Sequence, residues 1–318
     1  MAERIEKAAL GTLALESGES IENFEQAYVT HGELDAQKSN VILVCASLTG
    51  NHRRLDFLIG PGKALDPARW FVVATNPIGN GLSTSPSNSR TQPRMRFPRF
   101  NIRDMVAAQY RLLMEHLRIH RVRAVVGASM GGMQALQWAA SHPRFMRAVV
   151  AMTPMAKTHP WAALVTQTAR ACLMADPAWT GNGFSGEPER GWRAYAGLMN
   201  ALATRTPDAV PLDFERAVEQ RAATRFDAHD YLYQSWAYEA HDVANALGSV
   251  VARVLVLAPP LDLFNPVSSA REVAAAIPGA RFVEIPSPQG HQAATASRAE
   301  DAAFLNRTIA KFLDESKV

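Results

Sequence analysis

The feature that most restricts this chain is an alternation of short, β-branched apolar runs with longer amphipathic stretches. Six such runs stand out: VILVC at 41–45, WFVVA at 70–74, AVV at 124–126, AVVA at 148–151, VLVL at 254–257 and RFVEI at 281–285. Most are apolar on successive residues rather than on every second one, so both faces must be covered, as in a mostly parallel sheet between layers of helix. The stretches between them supply the helices. Met105, Ala108, Leu112, Leu113 and Leu117 recur at helical spacing over 104–117, and a second helical pattern begins at Met133 and runs to Ala140. Ahead of the alternation, 9–15 and 24–32 read as an opening antiparallel pair across the polar turn 16–20, which brings the expected α/β sheet to eight strands. The alternation breaks once. From 154 to 242 the chain is rich in Ala, Arg, Trp and Met at helical spacing, interrupted by NGFSG at 182–186 and by Pro207 and Pro211. The expected organisation is a core domain of 1–153 and 243–318 with a helical cap, 154–242, inserted in it.

A length of 318 residues with 47% hydrophobic and 20% charged content provides a large core and excludes disordered and fibrous classes. Cys45 and Cys172 are the only cysteines and form no Cys-x-x-Cys, which excludes a disulfide framework and a structural zinc site and predicts two small buried apolar groups. The net charge of +3 is spread among acids rather than gathered in a stripe, so nucleic acid is not an expected partner. No apolar run reaches the roughly 18 residues of a membrane span, and the first residues, MAERIEK, lack the order of a secretory signal. A cytoplasmic address without membrane association is expected. His116 and His120, four residues apart, could share a helix face but have no third ligand in view, so no metal is expected. The glycine-containing turn 76–81 lacks the Lys and Ser/Thr of a phosphate cradle, reads instead as a turn at the mouth of a site, and leaves no cofactor expected.

The sharpest chemical signal is GASMG at 127–131, which follows the run 124–126 directly and leads into a helical pattern. In a strand–turn–helix setting the glycines have a reason: side chains there would collide with neighbouring backbone on the strained turn that presents a nucleophile. Ser129 would project at the carboxyl edge of the sheet, beside a helix amino end that favours developing negative charge. A serine nucleophile needs a base and an acid that orients the base, on loops after later strands. Asp262 follows the run 254–257 and His291 follows the run 281–285, in the required order. Each has a plainer reading, a turn aspartate and a surface histidine, which the joint arrangement weakens. An oxyanion hole needs two backbone N–H groups. Met130, next to the nucleophile, supplies one, and Leu48, in the loop after 41–45, is the candidate for the other.

These residues resemble the homoserine O-acetyltransferase group of α/β-hydrolase proteins. The resemblance is carried by VCASLTG at 44–50, NPIGN at 76–80, Phe97-Pro98 with IRDMVAAQ at 102–109, SMGGMQAL at 129–136, Arg170 with DPAW at 176–179, and RFD at 225–227. It implies the α/β-hydrolase fold and a ping-pong reaction in which Ser129, of a Ser129–His291–Asp262 triad, takes an acyl group and passes it to an alcohol or to water. It also implies a substrate-binding role for Arg170 on a carboxylate, and suggests a homodimer through the cap. The chain departs from the group in four places. Gln292 stands where homoserine-acting members carry an aspartate after the catalytic histidine, TQTA precedes Arg170, Ala46 replaces a usual histidine, and the cap is short. A neutral Gln292 at this substrate-binding position has no charge to hold an ammonium group. The expectation is a serine hydrolase of short-chain, acetyl, esters acting on a small-molecule substrate, with a CoA-dependent O-acyltransferase as the alternative.

Overall fold

The computed structural model describes residues 4–199, 206, 213–223 and 226–315; Pro207, Pro211 and Arg225 lie outside them. One sheet organises these residues. Its strands are β1 (Glu6–Ala14), β2 (Ser20–His31), β3 (Val41–Cys45), β4 (Phe71–Thr75), β5 (Val122–Ala128), β6 (Met146–Met152), β7 (Arg253–Ala258) and β8 (Arg281–Glu284), in the spatial order β1-β2-β4-β3-β5-β6-β7-β8. The β1–β2 and β2–β4 pairings are antiparallel and every later one is parallel, as the apolar runs require. The opening pair is longer than its apolar residues mark, because one face is solvated and its polar residues carry no apolar signal.

Two separate apolar layers cover the sheet. One contains Val125, Val149 and Val256, which face α1 (Ile102–Arg111), α2 (Met130–Ser141) and α7 (Val267–Ala276); the other contains Val126, Val150 and Leu257, which face α8 (Ala299–Glu315). The first helix begins two residues before its apolar pattern. Asn101 caps it, accepting from the Arg103 and Asp104 N–H groups, while Asp104 returns a bond to the Asn101 N–H. Residues 112–116 continue it as a wider turn, so the helical spacing persists to Leu117 beyond the α-helix proper. Cys45 is buried and Cys172 half-buried, and both are free thiols.

Between β6 and β7 the described residues form α3 (Pro160–Met174), α4 (Glu189–Leu198), α5 (Phe214–Ala223) and α6 (Ala228–Glu239). The two connections that join this insertion to the sheet run side by side. Lys157 and Asp242 form a β-bridge and an ion pair, the Thr158 N–H donates to the His241 carbonyl at 3.0 Å, and the Val243 N–H donates to the Ala156 carbonyl at 2.7 Å. The His241 ring closes this stem from inside, its Nε2 meeting the Met155 carbonyl at 3.1 Å. His116, by contrast, lies edge-on to Tyr28, and the described residues contain no group of metal-ligating side chains.

Burial pushes the His241 pKa down from its usual value to about 4, so the folded stem holds a neutral imidazole while the unfolded chain protonates near pH 6.5. Between those values the unfolded state binds more protons, and stability falls as the pH drops. Urea denaturation at pH 7.5 and pH 4.5 is expected to give a loss to which His241 contributes on the order of 2 kcal/mol. His241→Gln should flatten that part of the profile; an unchanged profile would remove His241 as its cause.

Candidate active site

The turn between β5 and α2 sets the geometry. Ser129 has φ 56° and ψ −124°, a strained backbone for a residue with a side chain, and its N–H is held by the Met152 carbonyl at 2.8 Å. The glycines around it are sterically required. A Cβ on Gly127 would stand 2.0 Å from the Gly131 carbonyl oxygen, one on Gly131 would stand 2.3 Å from the Cys45 carbonyl oxygen, and one on Gly132 would stand 2.8 Å from that of Met152. The helix therefore starts at Met130, three residues before its apolar pattern becomes visible.

The strand ends bring the three sequence-predicted side chains together. His291 Nε2 lies 2.9 Å from Ser129 Oγ, and His291 Nδ1 lies 2.7 Å from Asp262 Oδ2. A carboxylate only accepts, so Nδ1–H donates to Asp262, and Nε2 is left to accept from the serine hydroxyl. The other oxygen of Asp262 accepts the Phe264 and Asn265 N–H groups, each at 2.8 Å, which turns the loop back on itself and fixes the carboxylate. Asn265 then ties that loop to β6, donating to the Thr153 carbonyl at 2.6 Å and accepting from the Tyr238 hydroxyl at 2.6 Å. Phe264 places its ring edge-on to His291 with centroids 5.1 Å apart. Ser129, His291 and Asp262 are all buried. Asp242, the other acid in this part of the chain, is half-exposed on Lys157 and lies outside the constellation.

Leu48 and Met130 sit where the sequence places them, in the loop after β3 and at the first position of α2. Neither N–H has an acceptor among the described residues. The Leu48 loop is held on both sides. Gln134 Nε2 donates to the Ala46 carbonyl at 2.9 Å, with its own oxygen taken by Gln109 at 2.7 Å, and the Ser47 hydroxyl donates to the Ala128 carbonyl at 2.8 Å. From the inserted helices, Gln234 accepts the Thr49 N–H at 3.0 Å. The turn 76–81 is part of the same polar floor: Asn76 Oδ1 accepts the His52 N–H at 3.0 Å, and Gln234 Nε2 donates to the Ile78 carbonyl at 3.1 Å.

Arg170 and Gln292 are placed differently. Arg170 is buried in α3 with its guanidinium on Glu239 and on the Ser235 hydroxyl at 3.2 Å, and its partners belong to α6 rather than to the group of Ser129, His291 and Asp262. Gln292 follows His291 directly in the short 3-10 turn Gly290–Thr295, and its carbonyl accepts from the Thr295 hydroxyl at 3.1 Å. Sequence reasoning missed Gln234, Asn265 and Phe264. The first carried a signal, a glutamine on the buried face of a helix between Leu232 and Tyr238; the other two become visible only once the acid loop is folded.

The profile of the alpha/beta hydrolase fold family matches residues 40–293. The chain belongs to the α/β-hydrolase family, in its homoserine O-acetyltransferase-like group. A curated homoserine O-acetyltransferase from Zymomonas mobilis is 32% identical over 358 aligned positions, covering 96% of this chain and 95% of that protein. Two solved esterases share the architecture over nearly the whole chain. An acetylester hydrolase from Corynebacterium glutamicum superposes with a TM-score of 0.90 at 29% identity, covering 98% of this chain and 96% of the other. The acetyl esterase MekB superposes with a TM-score of 0.92 at 28% identity, covering 98% and 97%. No helix among the described residues is long and apolar enough to cross a membrane.

Gly131→Ala tests the contact on which the site is built. The added methyl group would have to displace β3 backbone, and a loss of about 3 kcal/mol or more is expected in urea denaturation. Parental stability in that variant would mean that β3 and α2 can separate at no cost.

Proposed function

We propose that this protein is a serine hydrolase that cleaves short-chain, acetyl, esters through an acyl-Ser129 intermediate. The observation that carries the reading is the chain of contacts Asp262–His291–Ser129 at 2.7 and 2.9 Å, and the Leu48 and Met130 N–H groups have no acceptor among the described residues. In this reading His291 removes the Ser129 proton as Oγ attacks the ester carbonyl, and Asp262 stabilises the imidazolium that forms. The Leu48 and Met130 N–H groups receive the oxyanion, and His291 returns the proton to the leaving alcohol. Water, activated by the same histidine, then releases the acid. Residues 154–242 act as a cap over the core formed by 1–153 and 243–318, and the exposed Trp161 and Leu164 of α3 offer a second copy an apolar face there.

Hydrolysis is preferred over transfer on the chemistry of the acceptor. An amino-acid acceptor needs a partner for its ammonium, and Gln292 supplies none with a charge. It also needs one for its carboxylate, and Arg170 is already paired with Glu239. A charge-assisted bond lost to the acceptor is worth roughly 1.5 to 3 kcal/mol, or about 10- to 100-fold in its competition with water. The CoA-dependent O-acyltransferase reading draws its support from the similarity to curated homoserine O-acetyltransferases.

Ser129→Ala is expected to lower kcat for p-nitrophenyl acetate on the order of a million-fold with the circular dichroism spectrum unchanged, and Asp262→Asn on the order of ten-thousand-fold. A folded, active Ser129→Ala would sink the assignment. The fate of the acyl group separates the two reactions: p-nitrophenyl acetate should yield free acetate, with neither rate nor product altered by millimolar homoserine, and Gln292→Asp should raise any O-acetylhomoserine formed. Stoichiometric O-acetylhomoserine from acetyl-CoA and the parent protein would establish the transferase instead.

A further inference from the structure

We propose that Gln234, on the inserted helix α6, is a positioning residue for oxyanion stabilisation: it locks the turn that carries the Leu48 N–H. The inference rests on the assignment of Leu48 to the oxyanion hole. Residues 47–50 form a turn closed by the Gly50 N–H on the Ser47 carbonyl at 2.9 Å. Its third residue, Thr49, has φ 57°, the sign of a type II turn, a position that suits glycine and strains a β-branched residue. A threonine left to itself would relax towards negative φ by rotating the peptide between Leu48 and Thr49, which swings the Leu48 carbonyl to the other side of the turn and changes the shape of the loop next to the Leu48 N–H, itself on the preceding peptide. What opposes that rotation is the bond from the half-buried Thr49 N–H to Oε1 of the fully buried Gln234.

Gln234 is suited to the task because both ends of its amide are used outside its own helix. Nε2 donates to the Ile78 carbonyl in the neighbouring turn, so the oxygen cannot leave Thr49 without also disturbing a second buried pair. Gln134 and the Ser47 hydroxyl hold the other end of the loop from within the sheet domain, at the Ala46 carbonyl and the Ala128 carbonyl. The half that carries Thr49 is held from the insertion at the Thr49 N–H and from the turn 76–81 at the Gly50 carbonyl, to which Asn80 Nδ2 donates at 3.3 Å. The shape of the turn in which Leu48 stands therefore depends in part on α6 being seated, and Gln234 acts on it through Thr49.

The substitution that isolates this role is Gln234→Glu. A neutral glutamic acid reproduces both bonds, its carbonyl accepting from the Thr49 N–H and its hydroxyl donating to the Ile78 carbonyl; the ionised form can only accept and faces the Ile78 oxygen with a charge. Burial raises the pKa of such a carboxyl, so it ionises within an accessible range. Relative to the parent at each pH, kcat for p-nitrophenyl acetate should stay within about threefold at pH 6 and fall by about tenfold or more at pH 9. Gln234→Leu, which removes both bonds, should lower kcat about 10- to 100-fold at every pH, with KM changed less than about threefold. A ratio for Gln234→Glu that is flat from pH 6 to pH 9 overturns the inference, as does a Gln234→Leu loss that resides in KM or a parental kcat. If Gln234→Leu fails to fold, the Gln234→Glu profile decides alone. An active Ser129→Ala would defeat the functional reading itself, whereas an inactive Ser129→Ala alongside a flat Gln234→Glu ratio defeats only the role given to Gln234.

Discussion

Everything at the centre of this protein depends on the end of β5 and the start of α2 touching their neighbours backbone to backbone. Gly127, Gly131 and Gly132 leave no room for a methyl group against Gly131, Cys45 and Met152. Because α2 is drawn that close to β3, the first N–H of the helix and the loop after β3 stand beside the same serine. The strain at Ser129 is sustained by the same packing, with its N–H held by β6. A looser junction would relax the turn and draw the start of α2 away from the loop after β3.

Around that junction the polar groups are arranged so that no single loop is held by one bond. The acid loop is closed by the two N–H groups on Asp262 and anchored to β6 and α6 through Asn265. The Leu48 loop is anchored to α2 through Gln134 and to α6 through Gln234. Helix α6 thus touches both halves of the site, by Tyr238 on the acid side and Gln234 on the other. The stem at Lys157 and Asp242, closed by neutral His241, is the covalent route by which that helix joins the sheet. A buried amide is costly unless both its ends are satisfied, which makes each of these bonds all-or-none. They give the site a fixed shape, where flexible surface loops would give it a range.

The sequence by itself determined the sheet and pointed to the three side chains that meet at its edge. Continuous apolar runs require a covered parallel sheet, and strand ends in a parallel sheet all point the same way, so Ser129 was legible from the GASMG turn and Asp262 and His291 from their places after later strands. Glycine at 127 and 131 was legible too, since few other roles explain it between a strand and a helix. Boundaries were less legible: α1 starts with a polar capping box and β1 and β2 extend through solvated residues, where apolar spacing carries no information. Only the tertiary structure decided which polar groups meet across long separations in sequence. Gln234 and Thr49 are 185 residues apart, and Arg170 meets Glu239 rather than standing free. Local patterns record what a residue does to its own turn or strand; a buried hydrogen bond between distant segments leaves no periodic trace, because its partner is chosen by packing.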